Sequence, residues 1–195
     1  KKIIKLAYMI KKINIALFIL ASMAFSESYK EPEYTLLEKY GSIEMREYSE
    51  YVIAKTSIDK GDIELNNNMF RVLASYIFGG NSRNESIPMT APVITEGDDS
   101  KYNMIFFMLD VNTPDELPKP NNQNIKIETM KIGKTISITF GMWATKDRIE
   151  KNKQKLDKYI RQNHIQVNST LMVAQYNSPW TMPPFRKNEL IYQIQ

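Results

Sequence analysis

From Tyr34 onward, one order of apolar patterns occurs twice along this chain, and that recurrence constrains its fold more than any single motif. Residues 42–48 (SIEMREY) alternate polar and apolar side chains as a half-buried strand does, and 51–58 (YVIAKTSI) form a second strand. The two-residue gap between them predicts a hairpin. Next comes 62–78 (DIELNNNMFRVLASYIF), where Met69, Leu73 and Ile77 fall on one helical face with Phe70 and Ala74 beside it. Gly79-Gly80-Asn81 closes this helix, and two strands follow, at 89–95 and at 102–109 (YNMIFFML). After a proline-rich loop at 113–120 the order returns. A hairpin spans 125–130 and 135–140 around Gly133-Lys134, Thr145 caps a helix over 146–162, and strands close the chain at 170–176 and 189–194. Two pseudo-repeated hairpin–helix–strand–strand halves, with eight or nine strands and two main helices, indicate an α+β fold. Its antiparallel sheet is expected to curl into a distorted β-barrel. A cleft at the junction of such halves is a common place for a small ligand.

Composition removes much chemistry. The chain has no Cys, so thiolate metal sites, iron–sulfur clusters, disulfides and Cys nucleophiles are all absent. Its one His, His164, excludes a multi-histidine metal site, and its place after the second helix suits a polar residue closing a helix C-terminus. No metal site and no catalytic constellation is predicted. Carboxylate acid–base chemistry has Glu44, Glu47 and Glu189 available but no pair of defined geometry.

The net charge of +4 is a property of the leader. Of the 26 basic residues, five (Lys1, Lys2, Lys5, Lys11, Lys12) lie within 1–26, which leaves 21 against 22 acidic ones, a net charge of −1. The remainder has no overall field for phosphates, so no nucleic-acid partner is expected. Residues 1–26 read as a secretory signal peptide: Lys11-Lys12, a 13-residue apolar run at 13–25, and small residues that allow cleavage after Ala24 or Ser26. Met9 is an alternative true start, since 9–26 is by itself a complete signal peptide. The competing reading is an uncleaved anchor, for which the run is short. The expected mature protein is exported, periplasmic or secreted, without stable membrane insertion after cleavage.

Four stretches exceed what periodicity explains: Ile87-Pro88-Met89-Thr90-Ala91-Pro92-Val93, Phe140-Gly141-Met142-Trp143-Ala144-Thr145, Tyr176-Asn177-Ser178-Pro179-Trp180 and Arg186-Lys187-Asn188-Glu189. Each has a structural reading: prolines at strand ends, a bend packed by Trp143, a turn plugged by Trp180, and local pairing of Arg186 with Glu189.

Taken together with Glu33-Tyr34-Thr35-Leu36-Leu37, Tyr76-Ile77-Phe78-Gly79-Gly80-Asn81 and Pro118-Lys119-Pro120, these stretches resemble the SOUL haem-binding protein family. The likeness runs in order over the whole mature chain. It implies a single domain over 27–195, a distorted barrel of two pseudo-symmetric halves, and non-covalent binding of haem or another tetrapyrrole. It departs from the pattern where histidine-ligating members read Arg-His-Tyr, because this chain has Arg46-Glu47-Tyr48, which rules out a histidine ligand there. Met142 also stands where many members have Gly.

Members without that histidine imply an apolar cleft beside the first helix. Carried over, its lining is Met69, Phe70, Leu73, Ala74 and Ile77, with Arg71, Arg186 and Lys187 as rim cations for the propionates. Tyr76 and Met89 are candidate axial ligands that nothing in the sequence selects. The expected function is an extracytoplasmic tetrapyrrole carrier or buffer, not an enzyme. The alternative is a module for another amphipathic small molecule, as in effector-binding domains of similar fold.

Overall fold

Gly41, with φ +59, makes the first chain reversal by taking the left-handed conformation that a two-residue hairpin needs. It joins β1 (Tyr34–Tyr40) to β2 (Ile43–Asp59), with Tyr40 paired to Ile43 and Tyr34 to Tyr48. In the computed structural model, which describes residues 29–59, 66–97 and 100–195, the chain continues through α1 (Asn66–Ile77), β3 (Val93–Gly97) and β4 (Lys101–Phe107). It then forms β5 (Ile125–Phe140), α2 (Lys146–Gln162), β6 (Met172–Gln175) and β7 (Asn188–Gln193). The leader assigned to 1–26 and the first helical residues expected at 62–65 lie outside the described residues.

Six strands close into an antiparallel barrel in the order β2-β4-β3-β6-β7-β5, with β5 returning to β2. β1 is an extra strand laid beside β2, and all seven of its residues are exposed. Each half contributes one long strand, one helix and two shorter strands. The halves meet twice, at the β2–β5 ladder and at the β3–β6 pair.

Two expected hairpins are corrected. Residues 42–48 and 51–58 belong to one 17-residue strand, and 125–130 and 135–140 belong to one 16-residue strand. These long strands pair in a single register from Ile43↔Ile138 to Thr56↔Ile125. The misreading has a physical source. On β2, Ile43 and Met45 pack toward α2 while Val52 and Ala54 pack toward α1, so the outward parity changes near Ser49. The same change on β5 separates Ile125 and Ile127 from Ile136 and Ile138, with Gly133 (φ +65) between them. Broken alternation here marks a bend shared by two paired strands, where a turn was expected. Among the described residues the expected eight or nine strands therefore become seven.

Three apolar clusters form the core among the described residues. Met69, Leu73 and Ile77 of α1 pack on Val52, Ala54, Met104 and Phe106. Leu156 and Ile160 of α2 pack on Ile136, Ile138, Leu190 and Tyr192. Ile53, Ile94, Ile105, Phe107, Met172 and Ile191 fill the barrel interior. Thr145 caps α2 as expected, its side chain accepting from Arg148 N at 3.4 Å. Asn163 and His164 (φ +54) end that helix, and His164 is exposed.

Candidate ligand groove

A groove of about 750 Å³ runs across the outer face of the β3–β6 junction, between the two helices. Its floor comes from alternate residues of three strands: Val93 and Thr95, Tyr102 and Met104, Val173 and Gln175. Period-two alternation puts these side chains outside the barrel while Ile94, Ile105 and Ala174 face its interior. Phe70 of α1 and Phe78 stand on one side, Trp143 and Ile149 of the α2 side on the other, and Trp180 at the mouth. Trp180 is 92% exposed and Phe78 69% exposed, the kind of large apolar exposure that marks a binding surface.

The RKNE stretch assembles this wall residue by residue. Arg186 Nε donates to Thr181 O at 2.9 Å, and its Nη2 donates to Ser178 O and Pro179 O at 3.1 and 2.8 Å, which fixes the loop that carries Trp180. The same guanidinium lies 3.7 Å from the centre of the Trp143 ring. Lys187 Nζ sits 3.6 Å over the ring of Tyr176 and donates to Glu31 at 3.1 Å. Asn188 Nδ2 donates to Phe140 O and Met142 O, pinning the bend that presents Trp143. Three of the four motifs that periodicity left unexplained are thus one structure, and the fourth joins the floor through Met89, Thr90 and Ala91.

Glu189 corrects the expected local pair with Arg186. Its side chain is fully buried inside the barrel and takes two bonds from Arg46, Nη1 at 2.8 Å and Nη2 at 2.9 Å. Tyr176 Oη donates to the same carboxylate at 2.7 Å, and Thr139 Oγ1 at 3.1 Å. Arg46 also donates to Glu44 at 2.6 and 2.8 Å and to Tyr48 Oη at 3.1 Å. Burial alone would raise the Glu189 pKa, but the bonds and charge of Arg46 hold it below its ordinary value. Burial pushes the Tyr176 phenol well above its ordinary value and the Tyr48 phenol to about 12.

The residues read from sequence separate into distinct places. Met69, Leu73, Ala74 and Ile77 are buried between α1 and the sheet, and of that face only Phe70 lines the groove. Arg71 is exposed outside the lining, and Lys187 stands behind Tyr176. Arg186 lines the groove. Tyr76, a candidate iron ligand, is fully buried with its hydroxyl on Pro118 O at 2.9 Å and does not reach the groove, whereas Met89 does. Glu47 is exposed on β2, away from it. The sequence reading missed Tyr102, Met104, Phe78, Trp143 and Trp180 as lining. The signal for the two tryptophans was present in the FGMWAT and YNSPW stretches, which were read as packing.

Among the described residues no three His, Asp or Glu side chains gather to hold a metal ion, and no helix is long and apolar enough to cross a membrane. The family model described as SOUL heme-binding protein matches residues 29–193. The chain belongs to the SOUL haem-binding protein family. A search of curated proteins returns no match. Among solved structures, this SOUL chain is similar in fold to the C-terminal domain of EcmrR, with TM-score 0.59 and 10% identity over 83% of this chain and 98% of that one. It is similar as well to EcmrR in a DNA complex, with TM-score 0.61 and 12% identity over 100% and 68%. A hydrolase from Listeria innocua gives TM-score 0.56 and 8% identity over 90% and 97%. At these identities the likeness is one of fold.

Proposed function

We propose that this SOUL-family chain is an extracytoplasmic carrier or buffer of haem or a related tetrapyrrole, bound non-covalently in the groove between α1 and α2. The observation that carries the reading is the groove itself. Its volume of about 750 Å³ falls within the range of about 300–1,000 Å³ usual for small-molecule sites. Its floor is apolar apart from Thr95 and Gln175, and its sides offer aromatic faces to a flat macrocycle. Of side-chain types that ligate haem iron, the groove presents the Met89 and Met104 thioethers and the Tyr29 and Tyr102 phenols. Tyr176 also lines it, but its hydroxyl proton is committed to Glu189.

A binding role is favoured over catalysis by the absence of any carboxylate from the groove wall among the described residues. Glu44 and Glu189, two of the three candidate acids, are both bonded to Arg46. A second reading, an amphipathic small molecule other than a tetrapyrrole, is favoured by the same aromatic lining, since nothing in it requires iron.

The test is a visible-absorption titration with haemin and, in parallel, metal-free protoporphyrin. Saturable binding of both is expected. Val173→Phe, which fills the floor from β6, is expected to weaken both at least about tenfold with little change in Tm. A flat titration with both ligands would remove the tetrapyrrole reading, and a thermal-shift screen of other planar amphiphiles would then decide the second.

A further inference from the structure

The two buried arginines of this chain are compensated in different ways. Arg46 is neutralised by two carboxylates, Glu189 and Glu44. Arg186 is only 7% exposed, yet no carboxylate among the described residues pairs with it. Three main-chain carbonyls solvate its Nε and Nη2, and Trp143 covers one face of the guanidinium. Nη1 makes no hydrogen bond within the described chain. Every buried side-chain nitrogen or oxygen there has a partner, so Nη1 must reach the surface. The surface that Arg186 meets is the wall of the groove.

An uncompensated cation in a largely apolar wall attracts an anion far more strongly than the same charge in open water. The other cations named from sequence do not compete for this role. Lys187 is already bonded to Glu31 and lies near Glu189, at 3.1 and 4.0 Å, and Arg71 is exposed outside the lining. The groove wall contains no acid among the described residues, so its single fixed charge is positive.

We infer that Arg186 is the carboxylate anchor of the groove. A planar aromatic ligand with a carboxylate at its edge binds with that group on the Nη1 side of Arg186, its ring system lying along the aromatic wall. The ligand supplies the counter-ion that the fold withholds. Esters of the same molecule, and lipophilic cations of the same size, lack that interaction and bind more weakly. This inference rests on the groove being the ligand site.

The experiment compares protoporphyrin with its dimethyl ester, both metal-free so that iron ligation contributes nothing. Quenching of intrinsic tryptophan fluorescence reads both, because the chain has two Trp and both line the groove. For the unaltered protein the diacid is expected to bind about tenfold or more tighter than the ester, the size expected of a charge-assisted hydrogen bond. In Arg186→Gln the ratio of the two affinities is expected to shrink to within about twofold, while loosening of the Trp180 loop weakens both ligands alike. Equal affinities in the unaltered protein overturn the anchor, and they do so without any variant that must fold. A preference that survives in Arg186→Gln also overturns it, by assigning the charge elsewhere. Binding of neither molecule overturns the groove reading itself, and the anchor with it.

Discussion

At the scale of single residues, the centre of this protein is the Arg46–Glu189 pair, a contact between residues 143 apart in sequence. It lies inside the barrel, where a charge is tolerated only if it is paired and fully hydrogen-bonded. Both conditions hold: Glu189 accepts from Arg46, Tyr176 and Thr139, and no buried side-chain polar atom among the described residues lacks a partner. Removing one charge leaves the other buried, so Glu189→Gln is expected to cost about 3–5 kcal/mol, read by urea or thermal unfolding. Its pH dependence has a definite sign. The folded-state pKa of Glu189 is lowered, so its contribution is fully present above the ordinary carboxylate value of 4.5 and is lost as pH falls through the lower folded value. The unaltered protein should therefore lose stability below about pH 4.5, and Glu189→Gln should show a flatter acid limb. A variant with an equally steep limb would place the acid sensitivity in other carboxylates. None of this was legible in the sequence. Arg186 and Glu189 are close in the chain and looked like partners, but the true partner of Glu189 is set by closure of the barrel, which no local spacing reveals.

At the scale of elements, the two helices and the strands β4, β6 and β7 were legible within a few residues, because each carries an uninterrupted period. The long strands β2 and β5 were not. Their inward and outward sets exchange at the bend, and a period-two reading takes any such exchange for a turn. Gly133 is where this can be tested. It has φ +65, and nothing lies within 4 Å of where a Cβ would be, so substitution there meets a conformational cost without a clash. Ala at that position is expected to cost about 1–2 kcal/mol, Asn less, and Val more, in order of tolerance for the left-handed region. Thermal unfolding of the three variants checks the order. Val and Ala equal to Gly would mean that β5 does not need the bend. Motifs were legible in a different sense. The IPMTAP, FGMWAT, YNSPW and RKNE stretches stood out as aperiodic, but their common purpose depended on seeing that Arg186 and Asn188 tie two of them into one wall.

At the scale of the whole molecule, the groove belongs to neither half. Its floor is the β3–β6 pair with β4 beside β3, and its sides come from α1 and from the segment leading into α2. A ligand seated there touches both halves and binds only when the β3–β6 junction is formed, so its binding energy stabilises the closed barrel as a unit. At a free concentration a hundred times Kd, a ligand that binds only the folded state adds about 2.7 kcal/mol. For a chain of this size that corresponds to a rise of about 5–11 °C in Tm. Hydrogen exchange should slow together in β3 and β6, residues 93–97 and 172–175, while β1, which lies outside the ring, should be unaffected. Protection confined to α1 would instead mean that the ligand sits against one half alone. The cleft beside the first helix expected from sequence would then describe the site better than the groove between the halves.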